Sequence, residues 1–139
     1  MAKQFNGPVT FTAGVTMNGD LTNVGKTVLA PLAVTTYSGN DGSIPVTAGY
    51  ANIDAGGSAR SGLRFASAGT AGQLLVVQNS GGENLTFHNT DTTSLLRGTE
   101  ADHDTMPPNY VGLFVSDGSR WNLIAGGVDT QPDIGLTAG

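Results

Sequence analysis

The chain has 139 residues, a formal net charge of −5 and only 12% charged residues, about half the ~25% of an ordinary soluble domain. Its four arginines (Arg60, Arg64, Arg97, Arg120) are dispersed, so no basic stripe for a phosphate backbone is readable, and no apolar run approaches the ~20 residues that cross a membrane as a helix. Cysteine is absent, which excludes disulfides and thiolate metal sites.

The length suits one domain, which at this size buries roughly two-thirds of its unfolded surface and needs no staples. Glycine contributes 21 residues, whereas Glu (Glu83, Glu100) and Lys (Lys3, Lys26) number two each. Strong helix formers for a solvent face are therefore scarce, while Thr, Val and Gly-Asn-Asp turns are plentiful, and the expected class is all-β. The start, MAKQFNGPVTF, lacks the apolar stretch of a signal peptide, so synthesis and folding in a cytoplasm are expected.

In chain order, Val9 to Leu29 carries a repeat of six: Val9, Val15 and Leu21 share one phase, Phe11 and Met17 the next, and Gly14, Gly19 and Gly25 fall between. Each unit reads as a few extended residues and a turn. Such a segment cannot bury its apolar side chains alone, because a pair of short strands is marginal in water. It is either an arm that stacks on or wraps neighbouring copies, or an ordinary hairpin at the domain edge. A strand is expected around Leu32 to Tyr37, entered through Pro31, followed by a turn over Ser38–Gly42. Ala48–Asp54 and Gly62–Phe65 read as short strands separated by the loop Ala55–Ser61, and Ser67–Gly72 as another turn.

Gly72 to Gly127 is the expected core. Leu74, Leu75, Val76 and Val77 form a short apolar run of the kind found in strands covered on both faces, and Leu85 and Phe87 alternate with Thr86 and His88. Val111, Leu113 and Val115 alternate again, Asp117-Gly118 supplies a hairpin turn, and Trp121 and Leu123 continue on the return strand. Two hairpins joined by a long loop, Asn89 to Asn109, are expected. That loop carries an acidic patch (Glu100, Asp102, Asp104) with His103, and its length suits a contact or binding loop. The full reading is an antiparallel sandwich or barrel, jelly-roll or tulip-like, with an extended N-terminal β-arm: arm 1–29, body 30–127, polar tail 128–139.

Catalytic signatures are mostly missing. There is no G-x-S-x-G elbow, no Walker loop and no H-E-x-x-H, and a triad would have to use His88 or His103. His88, in a strand pattern, reads as a surface or interface histidine. The acidic patch has hard-cation ligand types without the ordered spacing of a calcium loop, so a solvated loop is expected and no metal is assigned. Gly56-Gly57 with Arg60 and Arg64 lacks the strand-Gly-helix setting of a phosphate cradle. Asn84-Leu85-Thr86 fits a glycosylation sequon, read as a chance match without a signal peptide. Tyr37, Tyr50, Tyr110 and Trp121 could form a sugar-stacking platform, although Trp121 reads better as core or as a contact between chains.

The pair AGQLLVVQNSGGENLTFHN and VGLFVSDGSRWNLIAGG resembles a module of tailed-phage virion proteins, in which a Gly-Gln before an apolar strand, a Gly-rich turn, a Leu-Thr-Phe strand and a terminal Asp-Gly-x-x-Trp hairpin recur. VTFTAGVTMNGDLT likewise resembles the short β-repeats at the start of phage fibre and capsid-decoration proteins. The resemblance covers about residues 5–29 and 69–127. It implies β-sheet homotrimers without enzymatic activity or cofactor. The chain is short and lacks a long shaft and a separate tip, which favours a capsid decoration (cement) protein or short head fibre over a tail fibre. The expected partners are two further copies and the major capsid protein on the outer surface of the virion, with no nucleic acid and no membrane. The expected capsid-contact arm comprises Phe5, Val9, Phe11, Val15, Met17, Leu21 and Val24, and the expected trimer core or contact Phe87, Tyr110, Phe114 and Trp121. The alternative is a carbohydrate-binding or host-adhesion module of a short fibre, binding surface glycans through the Asn89–Asn109 loop and the tyrosines. A hydrolase would need a constellation that the sequence does not display.

Overall fold

The computed structural model describes residues 6–16, 18–20, 28–29, 33–88, 90–97 and 105–128. Along them run strands β1 (Thr35–Thr36), β2 (Ser43–Ile44), β3 (Tyr50–Asp54), β4 (Arg60–Phe65), β5 (Leu74–Asn79) and β6 (Leu85–Phe87). A one-turn helix α1 (Asp91–Ser94) follows, then β7 (Thr105–Met106), β8 (Tyr110–Ser116) and β9 (Trp121–Val128). Apart from that single turn, the described residues are all-β.

From β1 to β6, successive strands go to different sheets. One sheet has the order β1-β3-β5-β8-β9 and the other β2-β4-β6-β7. Within the first, β1, β3 and β5 are parallel; within the second, β2, β4 and β6 are parallel. From β1 to β6 the chain therefore winds, each odd-even pair of strands making one coil stacked on the last. The winding stops at β7 and β8, which run antiparallel to their neighbours, and β9 returns along β8.

Period-2 burial explains why these segments are strands. Ala51 and Ile53 of β3, Leu63 and Phe65 of β4, Leu75 and Val77 of β5, and Leu85 and Phe87 of β6 all turn into one shared core, with the intervening residues outside. Phe65 is the hub of that core. Its ring lies 5.4 Å from that of Phe87, 5.3 Å from Trp121 and 5.2 Å from Phe114, the last edge-on at 69°. Aromatic pairs in such geometry contribute about 0.5–1.5 kcal/mol beyond their burial. Gly69, at φ +73°, lets the β4–β5 turn pass under Trp121; a Cβ there would stand 2.6 Å from Cζ2 of the indole.

Four expectations are corrected. Among the described residues the sheets are mixed rather than antiparallel, and neither closes into a barrel. The first expected hairpin does not form: β5 and β6 belong to different sheets, and of the two expected hairpins β8–β9 alone is present. The reason is Asn79, whose buried side chain organises residues 80–84 into a corner instead of a tight turn. The run Leu74–Val77 is not covered on both faces; Leu75 and Val77 are fully buried, while Leu74 is exposed and Val76 half-buried. Finally, the segment expected as a long loop contains α1 and β7.

Candidate functional site

The residues that carried a hint of chemistry are occupied structurally. Asp54 Oδ1 accepts the Gly56 N–H at 2.9 Å, and Arg60 Nε donates to the Ala55 carbonyl at 3.0 Å, so the Gly56-Gly57 stretch is a braced β3–β4 turn. Arg64 Nε reaches Ser43 Oγ at 3.4 Å across the β2–β4 pair. His88 is half-buried, its backbone N–H bonded to the Leu63 carbonyl and its Nδ1 3.3 Å from Thr90 Oγ1. In the sequon, Leu85 is fully buried and Thr86 bonds Thr105 across the β6–β7 pair at 3.1 Å. No group of three His, Asp or Glu side chains close enough to hold a metal occurs among the described residues. Glu100, Asp102, His103 and Asp104 lie outside them.

The aromatic platform does not assemble. Trp121 is fully buried and donates its Nε1–H to the Ser67 carbonyl at 2.8 Å. Tyr37 is buried too, its hydroxyl donating to the Ser43 carbonyl at 2.9 Å, and burial pushes that hydroxyl's pKa well above its usual value. Tyr50 donates to Gln78 Oε1, and Tyr110 is half-buried against the core, its pKa likewise raised by burial. The Tyr110 ring lies over the cross-strand pair Gly112 and Gly126, where an added Cβ would come within 2.8 Å and 2.6 Å of it. Of the four aromatics expected at a contact between copies, Phe87, Phe114 and Trp121 are thus buried inside the single chain.

What the fold does hold rigid is the β8–β9 hairpin. The Trp121 N–H donates to the Leu95 carbonyl at 2.7 Å, and the Trp121 carbonyl accepts from Arg97 N–H at 2.9 Å, tying the start of β9 to the segment after α1. Asp117 Oδ1 accepts the N–H groups of Ser119 and Arg120, both at 2.8 Å, which shapes the hairpin turn. Arg97 pairs with the same carboxylate; this pairing, together with those N–H donors, holds the Asp117 pKa well below the usual carboxylate range. At the other end, Asn79 Nδ2 donates to the carbonyls of Glu83, Met106 and Pro107 at 2.9, 3.0 and 3.1 Å, joining β5 to the far sheet.

Val28, Leu29, Val34, Leu74 and Val111 are exposed, and two further apolar features face outward from this scaffold. The first is the β9 edge. Among the described residues the sheets end in β1, β2, β7 and β9; the first three have two residues each, whereas β9 has eight. Very short edge strands protect against unwanted pairing, and a long edge does not. β9 contains no charge and no proline, and it exposes Leu123 (46%) and Ile124 (55%). A bulge places Phe114 opposite Leu123 and Leu113 opposite Ala125, leaving Ile124 as the extra residue. The second feature is the segment 6–16. Every residue in it is exposed and none is in a strand, with Val9 (44%), Phe11 (65%) and Val15 (51%) among the exposed apolar side chains. Phe5, Met17, Leu21 and Val24, expected to share its role, lie outside the described residues, as does the tail beyond Val128.

Compared with protein-family models, with curated proteins and with solved structures, the chain matches none. Val9, Phe11 and Val15, read from the sequence as part of an apolar arm, are exposed. The sequence did not mark Leu123 and Ile124 as exposed: Leu123 continues the strand alternation opposite the buried Phe114, and no residue in WNLIAGG marks the bulge at Ile124.

Proposed function

We propose that the chain is a non-enzymatic structural protein of a tailed-phage virion: a homotrimeric capsid decoration protein that binds the outer head shell and the major capsid protein. The observation that carries this reading is the uncovered segment 6–16, whose Val9, Phe11 and Val15 stand in water beside a body with a closed core of its own. Exposed apolar groups of this density mark a surface meant for a partner. The charge-poor surface of the body suits repeated burial between copies and against a shell, since few charges need desolvation. In this reading the finer architecture is an extended N-terminal arm on a body of two facing sheets. The body stands on the capsid, the arm orders on contact, and the attachment clamps adjacent capsomers against internal pressure without touching the packaged DNA.

The test is co-sedimentation of the purified protein with heads of the phage that encodes it, beside the triple substitution Val9→Ser, Phe11→Ser and Val15→Ser. Saturable attachment to heads, with at least tenfold weaker attachment of the triple variant, is expected. Failure of the wild-type protein to attach at micromolar concentration would refute the capsid role.

A further inference from the structure

We propose that the β9 edge is the seat for residues Val9–Val15 of a second copy, which add a sixth strand to the five-stranded sheet. The inference rests on the assembly reading above and names the contact between copies. One chain carries both halves of the match. Its five-stranded sheet ends, among the described residues, in β9, whose first residue Trp121 is bridged to Leu96 and whose residues 122–128 have no strand beyond them, and its segment 6–16 is an apolar-polar alternation belonging to no sheet. A sheet edge offers a row of N–H and C=O groups, which an extended peptide satisfies by strand addition, while flanking side chains set specificity.

Charge selects the occupant. The chain carries a net charge of −5, so two copies repel wherever their charged surfaces meet. Residues 6–16 and 121–128 contain no charged residue at all, so these are stretches where two copies can come together without that cost. Apolar side chains also match: Val9, Phe11 and Val15 on the incoming segment, Leu123 and Ile124 on the edge. The other three edges offer two residues each and cannot hold a strand of this length. The bulge at Ile124 divides the β9 edge and the bridge to Leu96 occupies Trp121, so the incoming strand pairs with residues 125–128 and packs Phe11 against the exposed Ile124 or Leu123.

The absence of cysteine makes the contact directly testable in the full-length chain. Phe11→Cys protein is mixed with an equal amount of Leu123→Cys, Ile124→Cys or Ala125→Cys protein carrying a tag of different mass, then oxidised mildly. At least one mixture is expected to give a disulfide-linked heterodimer at five or more times the yield obtained with Ser58→Cys, a control in the exposed β3–β4 turn. Sedimentation of the wild-type protein is measured alongside. Ile124→Lys, which places a charge on the edge, is expected to weaken self-association at least tenfold with unchanged circular dichroism. If the wild-type protein is oligomeric but no edge cysteine exceeds the control, the β9 seat is refuted and assembly uses another surface. If the wild-type protein is monomeric, both the seat and the homotrimer fail.

Discussion

Replacing Asn79 separates the coiled fold from a simple pair of hairpins. Asn79 is fully buried at the end of β5. Its Nδ2 donates to three carbonyls, those of Glu83, Met106 and Pro107, and its Oδ1 accepts the Gly81 N–H at 3.1 Å. In Asn79→Ala the buried Met106 carbonyl loses its side-chain donor at a cost of about 1–3 kcal/mol, while the half-buried Glu83 and Pro107 carbonyls regain water and lose only the net bond, about 0.5–1.5 kcal/mol each. A destabilisation of about 3 kcal/mol follows, large against a total of roughly 5–15 kcal/mol for a domain. Asn79→Asp is worse at neutral pH, because a carboxylate would face three carbonyl oxygens; the expected loss is at least about 3 kcal/mol. Burial and the facing carbonyls raise the pKa of the introduced acid in the folded state. Its penalty is therefore smallest below the unfolded value of about 4 and grows as pH rises through the folded value. Urea unfolding of both variants, each referred to wild type at pH 7 and at pH 4, checks this. A deficit under about 0.5 kcal/mol for Asn79→Asp at pH 7 would refute the role given to the residue.

Three further outcomes are expected. Trp121→Phe keeps an aromatic ring beside Phe65 but loses the hydrogen bond to the Ser67 carbonyl and leaves part of the fully buried indole's volume unfilled, and should cost about 1–3 kcal/mol in chemical denaturation. Gly69→Ala should cost about 2 kcal/mol, since it forces a side chain to positive φ and against the indole; a neutral result would contradict the packing of that turn. Asp117→Asn should lower the melting temperature slightly at pH 6. Because the native pKa lies below the ordinary value, the ion pair contributes above the unfolded pKa of about 3.9 and is lost as pH falls through the native one. The gap from wild type should therefore narrow below about pH 4, and a gap that widened in acid would reverse the assignment.

Strand positions were legible because period-2 burial is a local property. Ala51 and Ile53, Leu63 and Phe65, Leu85 and Phe87 announce their strands within five or six residues. Strand partnership was not legible. Successive coils pair Thr35 with Ile53 but Ile53 with Asn79, so the spacing changes from coil to coil and leaves no repeat to read. The corner after β5 deceived for a related reason: Asn79-Ser80-Gly81-Gly82 has hairpin residue types, yet the buried side chain of Asn79 bonds to groups 4, 27 and 28 residues away. At the candidate site the apolar repeat of segment 6–16 could be read from pattern alone, whereas the length of the β9 edge depends on which strands lie beside it, a tertiary fact.

Sedimentation equilibrium of the full-length chain at micromolar concentration tests the assembly claim most directly. A mass of three 14.1 kDa chains is expected, falling toward a single chain on Ile124→Lys. A stable, well-folded wild-type monomer would contradict it.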